Sequence, residues 1–273
     1  MVKLEPIKKI IKYTLASGKL EDERPLSLII IAPVECAKTS LIRRYCLNNE
    51  NVLYRTDATA HGIVQDTHEL KDFMSGGYTH IAIPDLLKCI GRKQETVRNF
   101  ISFMNALTEE GVSGISTYAS HIGSNKEVKC GLITAIPPDP FFDKRHNWGR
   151  MGFLSRALPV TYKYKPSTQA EILSYIQKQE HLKEGTVRLK QIPEESRVIK
   201  LDAELAKQIE PFAKSLAEEY SKYQKVYGFR YQRQLQTLVK AIALFKGKDE
   251  VDEECLDELQ ELSNHINFEF NRI

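Results

Sequence analysis

The segment LSLIIIAPVECAKTSLIRRY, which starts at Leu26, joins an apolar run to a Lys-Thr pair and a helical pattern. Lys38 and Thr39 stand where the pattern G-x-x-x-x-G-K-[ST] places the lysine and hydroxyl of a phosphate-binding loop. In such a loop, backbone N–H groups and a helix N-terminus bind phosphate oxygens, and the hydroxyl binds Mg²⁺. Ala32 and Ala37 occupy the two glycine positions, and alanine is the smallest replacement for glycine. The spacing predicts a nucleotide phosphate site. The alternative is an ordinary strand, loop and helix with a solvated lysine.

The predicted phosphate-binding residues are those of the loop and of the first helical turn. They are Ala32, Pro33, Glu35, Cys36, Ala37, Lys38, Thr39 and Ser40.

A carboxylate follows a second apolar run, THIAIPD, which ends at Asp85. A carboxylate at the end of such a strand can hold Mg²⁺ beside the phosphates, so we expect Thr39 and Asp85 to bind the metal. The alternative is that Pro84 and Asp85 only open a turn. Leu86 follows in place of a companion glutamate, so the base that would activate water is not identified.

Apolar runs alternate with helical patterns as far as about residue 165, which predicts a parallel sheet with helices on its faces. A helix is predicted at 67–76 and one continuous helix at 202–223. We divide the chain into an N-terminal helix and linker (1–24), an α/β nucleotide-binding core (25–165), a connecting region (166–200) and a helical domain (201–273).

The composition is that of an ordinary globular chain, with 42% hydrophobic and 27% charged residues and a net charge of +3. No apolar run approaches the roughly 20 residues that a membrane-spanning helix needs, so we expect no membrane association. The five cysteines have no paired spacing, which favours a cytoplasmic location over a disulfide framework or a metal site.

Two later segments resemble those of AAA+ ATPases of the minichromosome maintenance (MCM) helicase group. MGFLSRALPVTYKY is similar to the family's arginine-finger segment, and the resemblance assigns Arg156 as the finger that reaches a neighbouring subunit's nucleotide. RQLQTLVKAIALFKG resembles the lid helices and assigns Arg233 as the sensor-2 arginine, with Arg230 as the near alternative. Each arginine could instead be an ordinary surface charge.

The segment between residues 108 and 139 resembles the stretch that holds a hairpin and the sensor-1 strand of this family. The hairpin would span about residues 115–129, with Lys126 and Lys129 as the nearest cations for contact with DNA. The alternative is that these two lysines are solvated charges of a loop. Thr134 is the closest polar substitute for the sensor-1 residue. Downstream, the run DKRHNWGR, in which Arg145 and Arg150 flank Trp148, could bind a phosphate, stack on a base or lie at a subunit interface.

The resemblance implies a P-loop NTPase (AAA+) fold, with a three-layer parallel-sheet core and a C-terminal α-helical lid. It implies ATP and Mg²⁺ as cofactors, a homo-oligomeric ring expected to be a hexamer, and DNA as a partner. Other replication or mobile-element proteins are further expected partners. Three functions stay open: a DNA-dependent ATPase motor, a nucleotide-binding assembly or recruitment protein with little turnover, and a protein remodeller.

Overall fold

The computed structural model describes residues 1–65, 77–116, 121–222 and 225–268. The helix predicted at 67–76 lies outside these ranges. The strands within them are β1 (Leu28–Ile31), β2 (Val52–Tyr54), β3 (His80–Ile83), β4 (Val112–Ser116), β5 (His121–Val128), β6 (Gly131–Ile136) and β7 (Leu158–Thr161).

The helices of the described residues, labelled in chain order, fall mostly between the strands and after β7. They are α1 (Glu5–Ala16), α2 (Lys38–Cys46), α3 (Ala60–Gln65), α4 (Leu86–Ile90), α5 (Gln94–Asn105), α6 (Pro138–Arg150), α7 (Pro166–Gln177), α8 (Ala203–Gln208), α9 (Glu210–Ser221), α10 (Phe229–Phe245) and α11 (Glu253–Ser263). Within the described ranges, no helix is both long enough and apolar enough to cross a bilayer.

Five strands form an all-parallel sheet in the order β2-β3-β6-β1-β7, and β4 pairs with β5 in a separate antiparallel ribbon. All residues of β1, β3, β6 and β7 are buried, as expected for parallel strands that are covered on both faces. The predicted α/β fold is therefore confirmed. Because the strands are parallel, the segments that follow β1, β3 and β6 leave from one edge of the sheet.

Helix α1 packs against α10, α11 and α2. Its residues Ile7, Ile10 and Ile11 are fully buried, and the Tyr13 hydroxyl donates a hydrogen bond to the Glu258 carboxylate of α11. The first helix is thus part of the packing between the sheet-bearing region and the C-terminal helices.

The structure departs from the sequence prediction in the second half of the chain. The helix predicted at 202–223 is divided into α8 and α9, because Pro211 stands in the first turn of α9 and provides no N–H to continue α8. Helix α6 and strand β7 were not predicted. Trp148 of α6 is 1% exposed and packs edge-on against Phe141 and Phe153. Trp148 is therefore a packing residue and does not stack on a base in this conformation, whereas an interface role of the run at residues 143–150 stays a prediction.

Candidate functional site

The loop between β1 and α2 has a tightly curved backbone. Ala37 is left-handed, with φ 58°, and α2 begins at the next residue. Glu35 is also left-handed, with φ 63°. Ala32 continues the sheet instead, since its N–H donates to the Ile136 carbonyl at 3.4 Å. Only the second of the two alanines therefore adopts a conformation that normally favours glycine.

Lys38 lies across this loop. Its ammonium donates hydrogen bonds to the Ala32 carbonyl at 2.7 Å and to the Pro33 carbonyl at 2.5 Å. Burial lowers the pKa of Lys38, and the negative charge of Asp85 opposes this effect. A partly buried ammonium held at the mouth of a curved loop can exchange these carbonyls for an anion, because phosphate oxygens accept the same hydrogen bonds more strongly.

Buried groups support the loop from below. The Tyr162 hydroxyl donates to the Cys36 carbonyl at 2.5 Å, and both Tyr162 and Cys36 are buried. Burial raises the pKa of the Cys36 thiol, so this predicted binding residue is a neutral packing group in the loop. Tyr162 follows β7 directly, so the sheet itself holds the loop in place.

The predicted magnesium ligands lie near this loop, each with a different local role. Thr39 and Ser40 are exposed in the first turn of α2. Asp85 is the N-cap of α4, where its Oδ1 accepts the Leu87 N–H at 3.1 Å. Among the described residues, no three His, Cys, Asp or Glu side chains form a metal-binding group. Mg²⁺ commonly takes one or two protein oxygens and completes its shell with substrate phosphates and water, and the hydroxyl of Thr39 and the carboxylate of Asp85 are donors of the type that it takes.

Thr134 is not brought to this site. It is fully buried in β6, and its hydroxyl donates to the Ile83 carbonyl of β3 at 2.7 Å. The Thr134 hydroxyl hydrogen is therefore donated from one strand to the next, and the sequence prediction that Thr134 contacts nucleotide is not met in this conformation.

A large cavity of about 730 Å³ borders the loop and the first turn of α2. A cavity of this size lies in the range that small-molecule ligands occupy. Its apolar lining includes Tyr164, Ile172, Tyr175 and Ile176. These four residues were not predicted from the sequence, although the apolar spacing 172, 175, 176 within α7 could have indicated a common face.

Arg156 lies in a short 3₁₀ turn just before β7. Its guanidinium donates to the Gly152 carbonyl at 2.7 Å, and its side chain is 12% exposed. Gly152 has φ +73°, and a Cβ there would lie 2.5 Å from the Arg156 guanidinium. The glycine in MGFLSR thus makes room for the arginine.

Arg156 belongs to a cluster of four arginines from distant parts of the chain, which we call the arginine cluster: Arg24, Arg156, Arg230 and Arg233. Glu109 binds three of them, with Arg230 Nε at 3.0 Å, Arg156 Nε at 3.6 Å and Arg24 in a shorter contact. Burial opposes ionisation of Glu109, but Arg230, Arg24 and Arg156 hold its pKa below its usual value. Arg24 and Glu109 were not predicted from the sequence, because no motif position assigns either residue a role.

The arginine cluster and Lys38 lie at opposite edges of the sheet. The cluster surrounds residues 25–27, just before β1, whereas Lys38 follows the other end of β1. Four strand residues at ~3.3 Å each separate the two edges by about 13 Å. Within one chain, Arg156 and Arg233 therefore do not share an anion with Lys38 in this conformation.

The predicted hairpin is present as the antiparallel pair β4 and β5. Lys129 immediately follows β5, and its Nζ lies 3.4 Å from a Glu127 carboxylate oxygen. Lys126 belongs to β5, but its side chain lies outside the described part of the structure. DNA contact by these two lysines stays a prediction.

No protein-family model matches this chain, and no curated protein is significantly similar to it in sequence. A function can therefore be inferred only from the β1–α2 loop, the cavity beside it and the arginine cluster.

Proposed function

We propose that this chain is an AAA+-like ATPase that binds Mg²⁺–ATP at the β1–α2 loop and assembles into a ring, expected to be a hexamer. ATP hydrolysis between subunits would drive work on DNA, as in a helicase, an initiator or a mobile-element DNA-processing motor. The C-terminal helices α8–α11 would form the lid. The observation that carries the proposal is Lys38, whose partly buried ammonium lies across a left-handed loop at the start of α2.

Lys38, Thr39 and Asp85 would have separate parts in binding Mg²⁺–ATP. Lys38 would release its two carbonyl partners and bind phosphate oxygens, while the first N–H groups of α2 add partial positive charge. Thr39 and Asp85 would hold Mg²⁺. Bound Mg²⁺–ATP would supply the phosphoryl group that is transferred to water. The 730 Å³ cavity beside the loop would take the base and sugar.

Arg156 and Arg233 would act on the nucleotide of a neighbouring subunit. Their position at the edge opposite to Lys38 supports a role in trans for both, and a guanidinium there would stabilise charge that develops on the phosphoryl group. Such a site is complete only when two copies meet.

Binding is tested with Lys38→Ala, since removal of the ammonium should abolish binding of a fluorescent ATP analogue. Lys88→Ala is the matched control, because Lys88 is exposed on α4 and has no part in the proposed site. Equal affinity of both variants and the unmodified chain would refute the nucleotide site.

Turnover is tested with Arg156→Ala. Nucleotide binding should persist, while steady-state hydrolysis falls roughly 10³-fold or more, as expected for loss of an arginine finger. Single- and double-stranded DNA should each be assayed for stimulation, over a range of salt concentrations, because phosphate contacts weaken with salt. Unchanged hydrolysis by Arg156→Ala would contradict the trans assignment.

A second function, nucleotide-dependent assembly or recruitment on DNA without turnover, is favoured by one observation. Leu86 stands where a companion carboxylate would be expected and is fully buried, and Asp85 already accepts a backbone N–H. This function predicts tight ATP binding with hydrolysis near zero, with or without DNA. Hydrolysis that responds to a protein client and ignores DNA would instead indicate a remodeller.

A further inference from the structure

Helix α7 lies beside the β1–α2 loop and buries almost none of its own residues. Thr168 is its only buried residue. Leu173 is 61% exposed, Ile176 is 49% exposed, and Leu182 in the following 3₁₀ turn is 70% exposed. We call these three side chains the α7 patch. Short helices owe most of their stability to packing of an apolar face, so an exposed face of this kind fits a partner.

A second exposed apolar surface precedes α10. Tyr227 and Phe229, which we call the aromatic pair, are 72% and 75% exposed. Their rings stack 5.7 Å apart at an angle of 16°. Gly228 between them has φ +83°, and a Cβ there would lie 3.2 Å from the Ala217 Cβ of α9. The glycine thus lets the chain turn closely against α9 while both flanking rings point outward.

The two surfaces lie next to the two halves of the proposed site. Ile176 of the α7 patch lines the same cavity as Ala37 and Ser40 of the phosphate loop. The aromatic pair directly precedes Arg230, which belongs to the arginine cluster. One apolar surface therefore accompanies the loop, and the other accompanies the arginines at the opposite edge of the sheet.

We infer that the aromatic pair of one copy packs on the α7 patch of a second copy. This inference rests on the proposed function and names the surfaces that would hold adjacent subunits together. Such a contact joins two different surfaces, so it can repeat from copy to copy and close into a ring. It would also bring the positively charged arginine cluster towards the neighbour's phosphate loop and its anionic ligand.

A second copy accounts for the exposed surfaces better than nucleic acid does. Stacked rings with Lys225 Nζ 5.6 Å from the Tyr227 ring could hold bases of a single strand. Single-stranded nucleic acid would, however, cover only the aromatic pair and leave the aliphatic α7 patch exposed. One contact between copies covers both surfaces.

Cysteine crosslinking between differently substituted full-length chains tests the contact. Phe229→Cys and Leu173→Cys chains are mixed with Mg²⁺ and a non-hydrolysable ATP analogue, and a short bis-maleimide is added. The five native cysteines are buried, which limits background. Val198→Cys, at a residue 55% exposed, replaces Leu173→Cys in the control mixture. At micromolar protein the first mixture should crosslink roughly 100-fold faster, because contact raises the effective concentration to ~1 mM.

Three results would overturn the inference. The first is a rate equal to that of the control mixture. The second is crosslinking of Phe229→Cys chains with each other alone, which would mean that two aromatic pairs meet. The third is protection of the Phe229→Cys thiol from maleimide by a single-stranded oligonucleotide and not by the second copy, which would identify nucleic acid as the occupant.

A variant without new cysteines gives an independent readout. Tyr227→Ser with Phe229→Ser should weaken self-association by roughly 30-fold or more in light scattering, as expected for truncated aromatic anchors. Far-UV circular dichroism should stay unchanged, because both side chains are exposed. Unchanged self-association would overturn the contact. Binding of the ATP analogue, measured on the same samples, separates the two proposals: nucleotide binding without crosslinks refutes only this contact, and absence of nucleotide binding refutes the proposed function.

Discussion

The two alanines at the motif's glycine positions in the β1–α2 loop, Ala32 and Ala37, should respond in opposite ways to substitution by glycine. Ala37 has φ 58°, where a Cβ is strained, whereas Ala32 is not among the residues with positive φ and is fully buried at the end of β1. Ala37→Gly and Ala32→Gly remove the same methyl group from two residues of one loop, so each variant is the control of the other.

The expected magnitudes follow from these backbone conformations. A left-handed residue with a Cβ costs ~1–2 kcal/mol, and glycine costs ~0.5–1 kcal/mol in backbone entropy. Ala37→Gly should therefore change the free energy of unfolding by about 0 to +1.5 kcal/mol. Ala32→Gly has no strain to relieve. Glycine at residue 32 costs more backbone entropy on folding and removes a buried methyl worth ~0.8 kcal/mol, so Ala32→Gly should destabilise the fold by about 1.5 kcal/mol.

Guanidinium denaturation of both variants measures this difference, and ATP-analogue titration measures its effect on the loop. Ala37→Gly should keep or improve nucleotide affinity, because the left-handed conformation is retained without its steric cost. If Ala37→Gly lowers the free energy of unfolding as much as Ala32→Gly does, then residue 37 is not left-handed and the reasoning about the loop is wrong.

Three further predictions concern other parts of the fold. Glu109→Gln should destabilise the protein by ~1–3 kcal/mol, because three arginines lose their partly buried counter-charge. Glu110→Gln, at a side chain 71% exposed, should change the free energy of unfolding by less than ~0.5 kcal/mol, and denaturant titration compares the two variants. Burial lowers the pKa of His80 from 6.5 to about 4, so the unfolded chain takes up the proton before the folded chain does as the pH falls. The free energy of unfolding should therefore decrease by ~3 kcal/mol between about pH 6.5 and about pH 4. An NMR titration of the His80 ring in the folded protein with a midpoint near 6.5 would contradict this. Gly131→Ala should destabilise the fold by more than ~3 kcal/mol, since the added Cβ would lie 2.1 Å from the Leu26 carbonyl oxygen. Gly185→Ala is the control, because the space around Gly185 is open; thermal unfolding should show a change within ~1 kcal/mol.

Four of the five strands of the sheet and the helix after the β1–α2 loop could be predicted from sequence, whereas β7 was not predicted. The apolar run before Ala32, the Lys-Thr pair and the following helical pattern all report on neighbouring residues, whose periodicity and turn chemistry are local properties. The same holds for β3 and the carboxylate of Asp85 at its end. The ribbon of β4 and β5 was expected only from the family resemblance, and its pairing is present.

Tertiary structure decided which of the candidate residues meet. The arginine cluster and Glu109 come from segments distant in the chain: the segment before β1, the turn after α5, the turn before β7 and helix α10. Only the packing of these segments brings the residues together. Thr134 was predicted as the polar residue closest to the sensor-1 position, but it is buried because β6 lies inside the sheet, between β3 and β1. Sequence periodicity determines which face of an element is apolar. The parallel pairing of β1 with β7, and hence the opposite edges at which Lys38 and Arg156 lie, depends on contacts between elements distant in the chain, and no local pattern encodes those.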